Sequence, residues 1–304
     1  MTIAFIHPHK AFLPEIDAYG NFFCNYNIET IVLRPDEAKN SVAEIEWHLL
    51  GTDTSKKKNV IKIHEYASSS KPPLHTKKDR LKRIFMTIPD YRLFLNEYVR
   101  KQFNFKDGVP FGYRNMGIDP LLLDRFDEGT KEFDFIYTGS VEKERQIESL
   151  IGCFTKEPLK RHTLLILSQN YERLKKEFTP FQNIHFEGPV KQDEVKNYIL
   201  RSRFALNFII DKEPFNQQVS TKFLEYAALK IPILTSSYPW IRSFQQQYGG
   251  SYYYLNKDLS NLSWPEISNY HYVFPQLADW TWENQIRKSG ILEFLHSKFP
   301  ILEF

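Results

Sequence analysis

The stretch Gln217-Gln218-Val219-Ser220-Thr221-Lys222-Phe223-Leu224-Glu225-Tyr226 sets a cation and a carboxylate three positions apart within an apolar run. Ser220 or Thr221 can cap a helix at its N-terminus, and a helix begun there carries Lys222 and Glu225 on one face near its start. A carboxylate at that place can accept both hydroxyls of a ribose, while Lys222 and the positive end of the helix dipole favour a diphosphate. Taken singly, Lys222 and Glu225 would be a surface pair. A second candidate follows the apolar run 133–137, where the small-residue turn Thr138-Gly139-Ser140 leads through Lys143 and Arg145 into a helical pattern. Such a turn can present backbone N–H groups to an anion, and the two cations add charge. By itself it reads equally as a plain strand-to-helix turn with solvated charges.

Other chemistries lack their residues. No GxGxxG follows a strand pattern, no GxxxxGK[ST] exists and no GxSxG occurs, which argues against dinucleotide-dependent redox enzymes, P-loop NTPases and serine hydrolases of the α/β type. There is no Asp-x-Asp to hold a metal-bound nucleotide, and His64-Glu65 meets Ser68 where a zincin helix needs its second His. No metal ligand set and no cofactor are therefore expected. Cys24 and Cys153 are the only cysteines and form no CxxC, so neither a disulfide framework nor a zinc knuckle is expected. With 40 Lys+Arg against 37 Asp+Glu the net charge is +3, too small for a protein that coats nucleic acid. No run of about 18 apolar residues occurs and residues 1–10 do not read as a signal peptide, so a cytoplasmic chain is the expectation.

These residues need elements to hold them. A chain of 304 residues with 42% apolar content suffices for two cores. Strand-like runs at 3–7, 30–33, 59–64 and 91–95 alternate with helical patterns at 15–26, 37–50 and 77–85 and one starting at Asn96. The second half repeats the rhythm: strands at 133–139, 162–168, 184–187, 204–210 and 231–235, and helices at 144–154, 170–178, 192–201 and 219–228. Strand–helix repetition implies parallel sheets covered on both faces, hence an α/β chain of two Rossmann-like doubly wound domains facing a cleft. The polar stretch 119–132 marks the boundary, giving domains at 1–131 and 132–278, with 279–304 as a closing segment. Glu15 follows the first strand at the start of a helix, where it could orient or deprotonate an acceptor hydroxyl; it could equally satisfy the helix dipole.

The run QVSTKFLEYAALKIPILTS resembles the nucleotide-sugar motif of GT-B glycosyltransferases of the family-4 type, and IYTGSVEKERQIESLI and NIHFEGPVKQDEVKNYILRSRFALNFI resemble the start and the Gly-bearing segment of that family's donor domain. The likeness spans roughly residues 133–244; in the first half, segments such as VIKIHEYASSS and YRLFLNEYV look like bacterial envelope-polysaccharide members with less specificity. The resemblance implies transfer of a sugar from a nucleotide-diphosphate sugar to an acceptor hydroxyl, with retention and without a metal, in surface-polysaccharide or lipopolysaccharide synthesis. It implies that Glu225 binds the ribose, that Lys222 and Arg145 (Lys143 less well matched) meet the diphosphate, and that His64 touches the donor sugar across the cleft. The family's first acidic residue, eight positions before Glu225, is here Gln217, with Glu213 nearby but out of register. Lys230 replaces the usual Gly before Ile231-Pro232. A non-catalytic nucleotide-sugar or glycan-binding module of the same fold is the alternative that Gln217 keeps open. The acceptor is expected to be a glycan or a lipid-linked saccharide. The basic cluster Lys77, Lys78, Arg80, Lys82 and Arg83 could be a solvated helix face or approach anionic lipid at the inner face of a membrane. The segment from Trp280 to Lys298 resembles the family's closing helix, which crosses back onto the first domain.

Overall fold

A computed structural model describes residues 1–8, 13–49, 53, 55, 57–68, 84–124, 129–302 and 304. The basic cluster from Lys77 to Arg83 lies outside the described residues. The chain divides into two compact units: Met1–Asp119 with Asp279–Phe304, and Pro120–Ala278. The second unit thus begins one residue into the polar stretch, at Pro120. No helix among the described residues is long and apolar enough to cross a membrane.

The first unit holds a six-stranded sheet in the order β2-β1-β3-β4-β5-β6. Its strands are β1 (Thr2–Ile6), β2 (Glu29–Leu33), β3 (Ile45–Leu49), β4 (Ile61–Tyr66), β5 (Tyr91–Phe94) and β6 (Phe111–Tyr113), and every pairing is parallel. One core gathers Ile3, Phe5, Trp47, Ile63 and Leu93 from the sheet with Tyr19 and Phe23 of the Pro14–Cys24 helix. Ile291, Leu292 and Leu295 of the Ile291–Lys298 helix join it, so the closing segment completes this unit. The helix expected at 37–50 is a correction. Among the described residues of this range only Glu37–Asn40 is helical, as one 3-10 turn, and Ile45–Leu49 is a fully buried central strand. Ile45-Glu46-Trp47-His48-Leu49 alternates apolar and polar residues, the period of a strand and not of a helix, and Glu46 and His48 are both buried, with Lys57 standing 2.7 Å from Glu46 in place of water.

The second unit repeats the plan with the order β12-β11-β10-β7-β8-β9. The strands are β7 (Phe133–Thr138), β8 (Leu164–Leu167), β9 (Ile184–Glu187), β10 (Ser202–Asn207), β11 (Ile233–Ser236) and β12 (Tyr253–Leu255), again all parallel. The connections run outward in opposite directions from β7 and β10, so the strand order reverses between these two neighbours. In doubly wound sheets ligands bind outside the carboxyl ends of the strands at that reversal. The helix expected at 144–154 is broken. A 3-10 turn at Lys143–Arg145 ends on Gln146 in the left-handed region (φ 52°), and the α-helix starts at Glu148. The chain turns there because Val141 and Ile147 are both drawn into the core on either side of an exposed tip.

Candidate functional site

The helix Thr221–Ala228 sits at the strand reversal of the second unit and is fastened to both central strands. Ser220 is its N-cap: the Ser220 hydroxyl accepts from the Phe223 N–H (3.4 Å) and donates to Asn207 Oδ1 (2.7 Å) at the end of β10. Asn207 is itself fixed, donating to Thr235 Oγ1 at 2.9 Å and Tyr238 OH at 3.2 Å. From the β7 side, the Thr138 N–H donates to Tyr226 OH at 2.8 Å. Phe223, Leu224, Tyr226 and Ala227 are buried, which leaves Lys222 and Glu225 half-buried on the remaining face. The sequence expectation of one shared face thus rests on a cap and on anchors that order the helix.

The Lys222 ammonium lies 3.9 Å from the centroid of the Tyr137 ring and donates to the Phe208 carbonyl at 3.3 Å. Burial and the neighbouring Arg145 charge hold its pKa well below the ordinary lysine range. Arg145 rests its guanidinium 4.3 Å from the Phe215 ring centroid. Among the described residues neither cation stands in an ion pair, and both rest on aromatic faces. An anion arriving here would meet two positive groups that repel one another, and so would relieve that repulsion. Glu225 accepts a hydrogen bond from Gln192 Nε2 at 3.0 Å, and burial pushes its pKa up to about 7.

The other expected residues are placed as follows. Gly139 follows β7 with φ +117°, a backbone conformation that L side chains rarely adopt, and Gly139, Ser140 and Lys143 are exposed. Thr221 is exposed at the first helical position. Gln217 is half-buried at the end of a 3-10 turn, Phe215–Gln217, and Glu213 is exposed just before it. Lys230 adopts φ 54°, so the lysine standing where the family has Gly does take the left-handed turn. The Gly-bearing segment is held by a close approach: a Cβ on Gly188 (φ +127°) would collide with the Ser168 carbonyl oxygen.

Two first-unit expectations meet a different environment. Glu15 is only 2% exposed and faces inward, where its Oε1 lies 3.4 Å from Arg114 Nη2. Arg114 in turn forks onto Glu65, which also accepts from Trp47 Nε1 (2.9 Å) and Tyr19 OH (3.0 Å). Burial raises the Glu15 pKa against the pull of Arg114. The helix-start carboxylate is thus part of a buried ionic cluster in this structure. His64 is 0% exposed, with Nε2 3.5 Å from Asp53 Oδ2 and Nδ1 3.3 Å from Tyr66 OH. Burial holds its pKa down to about 4, so the ring is neutral. Its Asp53 neighbour also takes a 2.7 Å bond from Lys62. No group of three or more metal-competent side chains occurs among the described residues.

Sequence reasoning missed Gln192, Tyr137, Phe215 and Asn207 as parts of the site. Nothing local to Gln192 marks it, because its partner is 33 residues away. Asn207 carried a faint signal, a polar residue directly after the apolar run Phe204-Ala205-Leu206.

Two all-parallel six-stranded units, the second with a capped helix bearing Lys222 and Glu225 at its strand reversal, define the GT-B architecture. Residues 145–250 match the family described as "Glycosyl transferase-like", so the second unit carries a glycosyltransferase-like domain. No curated protein matches the chain. Among solved structures, HepE (Alr3699) of Anabaena in complex with UDP-glucose is similar at TM-score 0.66 and 10% identity, covering 98% of this chain and 100% of that one. AviGT4, a glycosyltransferase involved in avilamycin A biosynthesis, is similar at TM-score 0.60 and 10% identity, covering 99% and 96%. A UDP-GlcNAc 2-epimerase of Methanocaldococcus jannaschii in complex with UDP-GlcNAc and UDP is similar at TM-score 0.54 and 11% identity, covering 97% and 100%. At these identities the likeness is one of fold.

Proposed function

We propose that the chain is a retaining, metal-independent glycosyltransferase that moves a sugar from a nucleotide-diphosphate donor to a hydroxyl of a glycan or lipid-linked saccharide, in bacterial surface-polysaccharide or lipopolysaccharide synthesis. The observation that carries it is the joint position of Lys222, Glu225 and Arg145 at the strand reversal of a parallel sheet, within the glycosyltransferase-like segment. Glu225 accepts the ribose hydroxyls, and the turn Gly139-Ser140 with Ser220 and Thr221 borders the nucleotide. In the transfer the bond from the anomeric carbon to the diphosphate oxygen breaks, and charge grows on the departing diphosphate. Lys222 and Arg145 meet that charge, an electrostatic contribution that a buried setting strengthens. Retention and the pathway rest on the motif resemblance. Metal independence is supported by the missing Asp-x-Asp and the two cations. UDP-sugar donors are the first to test, since HepE was crystallised with UDP-glucose.

A thermal-shift screen of UDP-, GDP-, ADP- and CMP-sugars identifies the donor, because a ligand that binds the folded form raises apparent stability. Transfer of that donor's sugar is then expected to survive EDTA nearly intact. Complete loss with EDTA, restored by Mg²⁺ or Mn²⁺, would refute the metal-free mechanism.

Gln217 in the place of an acidic residue favours one second reading, a binding module without turnover. Donor binding with no transfer or hydrolysis across a panel of acceptors would establish it. For the enzyme, Gln217→Ala is expected to reduce transfer while binding of the bare nucleoside diphosphate is kept. The same pattern in Glu213→Ala, and not in Gln217→Ala, would move the sugar contact to Glu213. Equal loss of nucleotide binding in both would show that this loop serves the nucleotide instead.

A further inference from the structure

We propose that Gln192 is a positioning residue for the donor nucleotide: its side-chain amide holds the Glu225 carboxylate as the acceptor that the ribose hydroxyls require. The inference rests on the donor-site reading above and names a residue that neither the motif nor the family match singles out. Gln192 opens the helix Gln192–Leu200, which follows β9 and the Gly188 turn, and its Nε2 donates to Glu225 Oε1 at 3.0 Å. A carboxylate only accepts, so the amide must present its N–H, and the second carboxylate oxygen stays available to a ligand.

The bond matters because Glu225 is in conflict with its surroundings. Burial favours the neutral carboxyl, and the Gln192 hydrogen bond opposes it. A protonated carboxyl turns one acceptor oxygen into a donor, a poor match for two ribose hydroxyls that both donate. Of the groups around it, the buried Tyr226 hydroxyl on the same helix feels the Glu225 charge, whereas Lys222, one turn earlier, answers to Arg145. From the helix of Gln192, the start contributes Lys191, Asp193 and Glu194, all exposed. Removing the amide leaves this set unchanged and takes away the hydrogen bond that opposes protonation of Glu225.

The test is the pH dependence of donor binding, measured by calorimetry between about pH 5 and 9 with UDP-, GDP- and ADP-glucose. These share ribose and diphosphate and keep their phosphates ionised over this range; the tightest of the three is followed. In the native chain affinity should rise through about pH 7, where Glu225 ionises. Gln192→Ala should move this rise upward by roughly half to one pH unit, the share of one hydrogen bond to a carboxylate. Binding would then be roughly three- to tenfold weaker near pH 6 and equal near pH 9. Gln192→Glu should move it further, through like-charge repulsion. A Gln192→Ala profile superimposable on that of the native chain overturns the inference, and so does a loss of the same size at every pH. If Glu225→Ala binds as the native chain does, or none of the three nucleotides binds, the donor-site reading itself fails. Weakened binding in Glu225→Ala with an unmoved Gln192→Ala profile removes the Gln192 role alone.

Discussion

Arg114→Ala is expected to cost the first unit about 3–5 kcal/mol, the usual penalty for breaking a buried ion pair from one side. Arg114 is 1% exposed and forks onto Glu65 through Nε and Nη2, with Glu15 3.4 Å from Nη2. Its guanidinium also lies 5.3 Å from the Trp282 ring, within the same unit. Truncation strands two buried carboxylates and empties the space of a large side chain. Arg114→Lys should restore little, since a single ammonium cannot reproduce the two-pronged contact. The sign of the pH effect follows from the carboxylates. Burial raises the Glu15 pKa, so its charge weighs against folding at neutral pH and is relieved as acid protonates it. Arg114 pulls that pKa down, so in Arg114→Ala it rises further and the variant's deficit should narrow as the pH falls. Urea unfolding followed by Trp47 emission, in a background with Phe at the chain's other four tryptophans, reads this unit, since Trp47 donates to Glu65 at 2.9 Å. A loss below about 1 kcal/mol, the level of an exposed pair, would show that the cluster contributes little.

Glu225→Ala is expected to weaken donor-nucleotide binding by roughly one to two orders of magnitude. Hydrogen bonds to a charged group are worth about 1.5–3 kcal/mol, and about 1.4 kcal/mol is tenfold. The fold should not suffer. With its pKa pushed up to about 7, Glu225 destabilises the folded chain increasingly from about pH 4.5 to 7, so its removal relieves a strain at neutral pH. The helix keeps its Ser220 cap and its Tyr226 anchor. Calorimetry near pH 8, where Glu225 is mostly ionised, gives the largest contrast between native chain and variant. Unchanged affinity in a folded variant would remove Glu225 from the nucleotide.

The two residues read most directly from sequence, Lys222 and Glu225, were legible because helix geometry is local: a cap at Ser220 and a spacing of three set them on one face wherever the helix docks. The same logic failed for 37–50. There Glu46 and His48 alternate with Ile45, Trp47 and Leu49 at the period of two that belongs to a strand, and they are buried because Lys57 comes within 2.7 Å of Glu46 and Asp53 lies 3.8 Å from His48. A pattern of polar and apolar residues records what each side chain prefers, not whether a distant partner will replace water for it. Glu15 adds a second case: its place at a helix start suited either an acceptor-orienting carboxylate or one satisfying the dipole, and Arg114, 99 residues away, lies 3.4 Å from it inside the unit.

The sequence by itself determined the alternation of strands and helices, and thereby the α/β class, because burial on both faces of a parallel sheet demands continuous apolar runs. It also determined the helix that carries Lys222 and Glu225, through capping and spacing. Only the tertiary structure decided the strand orders, and with them the reversal between β7 and β10 that gives this helix its station. It alone brought Gln192 to Glu225, Tyr137 to Lys222 and Phe215 to Arg145, and closed the first unit with the chain's last helix. The reason is physical: periods and caps act within a few residues, whereas the protonation and orientation of a half-buried charge depend on whichever groups the whole sheet packs against it.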